Sequence, residues 1–128
     1  MTDSRSTPPS PLGILPQRIA AWERIVAEVE AGYNFGLDDW LNDMDLRRGI
    51  DDAQAGLTSV DWMGQEALAD RLADIDRRFI AATHDAGKCL WGSRVAAREG
   101  WHPDRQWWYF RRPRAGNAGL DAEIDNVR

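Results

Sequence analysis

The densest group of chemistry-bearing residues lies between positions 38 and 45, where Asp38, Asp39, Asn42, Asp43 and Asp45 fall close together. On a helix Asp39 and Asp43 share a face at i and i+4, as do Asp38 and Asn42, with Asp45 nearby. Oxygens at that spacing can hold a hard cation, which takes several of them at ~2.0 to 2.6 Å. A metal-dependent hydrolase built on the cluster is therefore one reading. The other reading uses the charge itself. Like charges at i and i+4 each cost a few tenths of a kcal/mol. Inside the fold, Arg47 and Arg48 or the Arg-rich later segment can relieve that repulsion; outside it, a basic partner can. Asp38, Asp39, Asp43 and Asp45 are accordingly the candidate partner-binding residues, with Trp40 as their aromatic anchor if its ring is exposed.

Other catalytic arrangements fare worse. Cys89 has His84 five positions before it and His102 thirteen after, with no recognisable oxyanion feature. Beside Leu90 and Trp91 it reads as a small buried residue. Gly87-Lys88 and Gly92-Ser93-Arg94 lack the glycine spacing of a phosphate loop. Arg105, Arg111, Arg112 and Arg114 do surround Trp107, Trp108, Tyr109 and Phe110, and cations beside rings are the ingredients of single-strand binding. A net charge of −5 opposes that use. No nucleic acid, cofactor or metal is expected.

The net charge hides an asymmetry. From Glu23 to Asp61 ten acids face three arginines, whereas from Arg94 to Arg114 six arginines face two acids. The two regions either pair across the fold or leave an acidic face for a basic protein.

The elements that must position these residues are mostly helical. Leu, Ile, Val and Phe make up about a fifth of the 128 residues, a proportion at the edge of disorder, but seven Trp reverse that reading. Each indole can bury ~150 to 250 Å². The apolar positions Ile19, Trp22, Val26, Val29 and Tyr33 step by three and four, which predicts a helix from Pro16 to Ala31 ended by Gly32. Leu37, Trp40, Leu41 and Met44 predict a second from Leu37 to about Arg48, bending or restarting at Gly49. Thr58-Ser59-Val60-Asp61 has the form of a cap, and Leu68, Leu72, Ile75, Phe79 and Ala82 predict the longest helix, to about Thr83. A short helix follows from Arg94 to Glu99. Four consecutive aromatics then favour an extended segment from Gln106 to Arg112, lying over the helices or pairing near Cys89 to Gly92.

The fold class is thus mainly α: a small single-domain bundle of three main helices with a short helix and a C-terminal extended aromatic segment. Residues 1–15 read as a disordered tail, 16–113 as the helical domain and 114–128 as a flexible tail. With one cysteine, no apolar run of membrane length and no secretory leader, a cytoplasmic, bacterial protein is expected. The leading function is non-enzymatic protein binding, as in an immunity protein or antitoxin that neutralises a toxin. The rivals are the hydrolase and a structural subunit or homodimer.

Overall fold

The computed structural model describes residues 11–57 and 64–128. The cap expected at Thr58-Ser59-Val60-Asp61 and most of the expected N-terminal tail lie outside the described residues. The domain is mainly helical. Its elements are α1 (Pro11–Ala31), α2 (Leu37–Ala55), α3 (Glu66–Ala82), β1 (Thr83–Asp85), α4 (Ser93–Glu99), a 3-10 turn (Trp107–Phe110), β2 (Arg111–Pro113) and α5 (Ala118–Asp125).

Helix α1 begins one and a half turns before the position that the sequence predicts, and Pro16 stands inside it. The apolar stripe explains the extension, because Leu15 continues Ile19, Trp22, Val26 and Val29 upstream and is itself fully buried. Pro16 withholds one N–H near the helix start, where few intrahelical bonds are at stake. Helix α2 likewise runs through Gly49 without ending there. Arg18 of α1 donates to the Gly49 carbonyl at 2.8 Å, and a Cβ at position 49 would stand 3.2 Å from the Arg18 Nη1. The glycine is used for a close approach between helices rather than for a break.

Helix α3 buries Leu72, Ile75 and Phe79, one stripe of its face. Thr83 ends it by donating its hydroxyl to the Phe79 carbonyl at 2.8 Å. The chain then enters β1, which pairs antiparallel with β2 in the register Thr83 with Pro113, His84 with Arg112 and Asp85 with Arg111.

The aromatic run is not the extended segment that its composition favours. Trp107 to Phe110 form a 3-10 turn, and only Arg111 to Pro113 are strand. Burial overrides strand propensity here: Trp108 and Tyr109 are buried, and Trp107 and Phe110 also pack against the core, whereas a strand would turn alternate rings outward. The expected contact with residues 89–92 is one backbone bond, from Leu90 N–H to the Tyr109 carbonyl at 2.8 Å.

The segment read as a flexible C-terminal tail contains α5, which buries Leu120 and Ile124 one turn apart. Asn117 caps it by accepting from the Leu120 N–H at 2.9 Å. The same side chain donates to the carbonyls of Tyr33 and Phe35, both at 3.1 Å, and so fastens α5 to the turn between α1 and α2. At the centre of the fold Trp22, Trp40, Tyr33, Phe79, Trp107, Trp108 and Tyr109 touch in an unbroken series of ring contacts with centroids 4.9 to 6.0 Å apart. That series adds large buried rings to an aliphatic core that includes Leu15, Ile19, Val26, Ile50 and Ile75.

Candidate partner-binding face

The 3.6-residue period of α2 separates the five candidate residues. Asp38 and Asp39 occupy its first turn, where the helix dipole favours negative charge, and both are exposed. Trp40 points the opposite way. It is fully buried, its ring meeting Tyr33 edge-on at 4.9 Å and lying over Phe79, so it anchors the core and cannot anchor a partner. It belongs to the stripe Leu37, Trp40, Leu41 and Met44, whose burial forces this orientation.

Asp43 is half-buried at the margin and accepts from the Tyr33 hydroxyl at 2.6 Å. Burial pushes its carboxyl above the ordinary aspartate range; the Tyr33 hydrogen bond opposes that rise, and the charges of Glu28 and Asp39 add to it. The Tyr33 phenol is pushed far above its ordinary value, first by burial and then by Asp43. Asp45 leaves the group. It accepts from the Tyr109 hydroxyl at 2.5 Å and borders a groove on another side of α2.

Three residues that sequence reasoning passed over complete the face. Glu28 of α1 is exposed and acts electrostatically on both Asp43 and Tyr33. Glu123 of α5 accepts from the Leu37 N–H at 3.1 Å, at the start of α2. Phe35 is 49 % exposed in the connecting turn, its ring edge-on to Tyr33 at 5.5 Å. Phe35 stands off every helical stripe, a signal the sequence did carry, but the approach of Glu123 depends on a helix that the sequence concealed.

The arginines do not neutralise this face. Arg71 and Arg78 of α3 bind Glu23 and Glu30 of α1 at 2.7 to 3.2 Å. Arg47 turns into the core to Asp76, and Arg48 lies 3.7 Å from Asp52 and also feels the charge of Asp45, so of the two relieving contacts the spacing allowed only that to Asp45 is made. In the Arg-rich segment, Arg111 bonds Thr83 and the Ile80 carbonyl, Arg112 bonds Asp121 and Asp125, and Arg114 bonds the Ala81 carbonyl. Among the described residues, therefore, no ion pair joins the acidic region to the Arg-rich one. Among the described residues no arginine, lysine or histidine comes within 4.0 Å of Asp38, Asp39 or Asp43.

Among the described residues no three carboxylate, imidazole or thiol groups converge as a metal site. Cys89 is buried, which pushes its thiol pKa up and keeps it protonated. Trp108 and Tyr109 lie in the core and offer no platform for stacked bases. No described helix is long and apolar enough to cross a membrane. Compared with protein-family models, with curated proteins and with solved structures, the chain matches none of them.

Proposed function

We propose that this protein is a non-enzymatic binding module that captures a basic protein on the face formed by Asp38, Asp39, Glu28 and the exposed ring of Phe35. One observation carries the reading: among the described residues, Asp38 and Asp39 stand in solvent with no basic residue within 4.0 Å. A pair of carboxylates that only the helix dipole relieves can still take an external cation, and steered encounter between opposite charges gives fast capture. Phe35 takes the anchoring role that Trp40 cannot fill, since exposed aromatic rings are enriched at the centres of protein interfaces. The turn that carries it is held by Asn117, so little ordering entropy is lost on binding. Size, acidity and this face fit an immunity protein or antitoxin working in a bacterial cytoplasm against a toxin with a basic cleft.

The test is copurification from cells of the source organism, using tagged wild type and the double variant Asp38→Lys, Asp39→Lys. A basic protein should accompany the wild type and be lost from the variant, while the melting temperatures agree within about 3 °C, the shift of less than 1 kcal/mol. Equal retention by both proteins, or retention by neither, contradicts the proposal.

A further inference from the structure

Two helices of the fold start on a glycine that has no side chain to cap them: Gly36 before α2 and Gly92 before α4. A helix leaves its first N–H groups without an intrahelical acceptor, and a cap residue ordinarily supplies one. In both helices residues 117–128 supply it instead. Glu123 of α5 accepts from the Leu37 N–H at 3.1 Å, and the Arg128 carbonyl accepts from the Ser93 N–H at 3.0 Å. Both glycines suit this arrangement. A Cβ at position 36 would stand 3.1 Å from the Glu123 Oε1, and one at position 92 would stand 3.1 Å from the Arg128 carbonyl oxygen. Each is closer than ordinary van der Waals contact, so a cap residue with a side chain would compete with the borrowed acceptor for one space. Gly92 also takes φ +102, which side chains rarely adopt.

The bonds that hold this segment are mostly polar and lie at the surface. Of α5 only Leu120 and Ile124 are buried. Asn117 ties its start to the turn at 33–35. Arg112 pairs with Asp121 at 3.2 Å and with Asp125 at 2.9 Å, and Lys88 Nζ donates to the Asp125 and Val127 carbonyls at 3.4 and 2.8 Å. Exposed ion pairs add little stability. Helices α1, α2 and α3, by contrast, bury long apolar stripes in one core. A segment held by two apolar side chains and surface bonds opens more readily than such a core. Ile124 lies between Glu123 and the residues that Lys88 holds, so its departure from the core carries both borrowed caps away.

We propose that residues 117–128 are a clasp that opens and closes as one unit and, on opening, uncaps α2 and α4 together. The start of α2 carries Asp38 and Asp39, so the same opening loosens the face proposed above for protein capture. The inference needs no partner and does not rest on that reading.

The experiment is native-state amide exchange on the full chain, followed by NMR, in wild type, Glu123→Ala and Lys88→Met. The reporters are three amides in first helical turns: Trp40, which donates to the Gly36 carbonyl, Ala96, which donates to the Gly92 carbonyl, and Asp121, which donates to the Asn117 carbonyl. In wild type the three should share one opening equilibrium, within about twofold, and open more readily than the core amides of α1 and α3. Each variant removes a hold at one end of the clasp only. Each should nevertheless speed all three reporters by a common factor, about fivefold for the loss of a cap or its support. Glu123 is exposed and Lys88 is half-buried, so neither substitution touches the core. Should a variant fail to fold, the wild-type comparison still decides. Unequal opening of the three reporters in wild type overturns the proposal, as does protection equal to that of the core amides. So does a variant that speeds only the reporter at its own end.

Discussion

The residue with most at stake inside the fold is Asp76. Its carboxylate accepts from Trp22 Nε1 at 2.9 Å, from Arg47 Nε at 3.0 Å and from Arg47 Nη2 at 2.9 Å. The Arg47 guanidinium lies 5.4 and 5.0 Å from the ring centres of Trp107 and Trp108. Its side chain is only 7 % exposed, against 17 % for Asp76. Desolvating such a pair consumes most of its Coulomb attraction, so the net gain is small, but the loss on removing one partner is large. Asp76→Ala should cost about 3 to 5 kcal/mol, because a buried cation and an indole N–H would both lose their acceptor; urea unfolding measures it. A loss under 1 kcal/mol would show that water reaches Arg47.

Asp43 gives a second test at this scale. Its folded pKa is raised, so its contribution to stability is present below the unfolded value and lost as pH rises through the folded one. Glu23 and Glu30 run the other way. Hydrogen bonds from Arg71 and Arg78 hold them below the ordinary glutamate range, and their contribution is lost as pH falls through their folded values. Carboxyl ¹³C titration should place Asp43 above, and Glu23 and Glu30 below, their ordinary values. Tyr33→Phe should raise Asp43 further, since it removes the hydrogen bond that lowers it.

At the scale of elements, α5 decides whether the proposed partner-binding face is rigid. Asn117 alone supplies the cap of α5 and two hydrogen bonds to the turn that presents Phe35. Asn117→Ala should cost about 1 to 3 kcal/mol, a lost cap together with two unsatisfied carbonyls. Amide exchange should rise in residues 33–36 as well as in α5. Exchange confined to α5 would mean that the turn holds itself. The sequence showed the three main helices because each buries one long stripe, and α4 because Gly100 stops it. It concealed α5, whose burial rests on only Leu120 and Ile124, with Gly116 and Gly119 beside them. Strand β1 was also hidden, since three residues at a helix end make no period. The same limits apply to the site. Trp40 was legible as core from its own stripe, whereas the departure of Asp45 toward Tyr109 follows from where a 3-10 turn folds back, a contact 64 residues away in the chain.

For the whole molecule the decisive quantity is how charge is distributed. Arginines fasten α1 to α3 and β2 to α5, and one enters the core, while among the described residues the start of α2 receives none. The aromatic series donates to Asp76, Asp43 and Asp45 through Trp22, Tyr33 and Tyr109, whereas Asp38 and Asp39 stay exposed outside it. Exposed charges act over about a Debye length and are screened by salt, which gives electrostatic capture a kinetic signature. The most direct measurement is therefore the stopped-flow association rate of the basic partner that the proposal expects to copurify, across a range of ionic strength, with wild type and with the Asp38→Lys, Asp39→Lys variant. The rate for wild type should fall steeply with added salt, and the variant should associate about tenfold or more slowly at low salt, the effect of reversing a steering charge. A rate independent of salt, or a variant that associates as fast as wild type, would contradict the account.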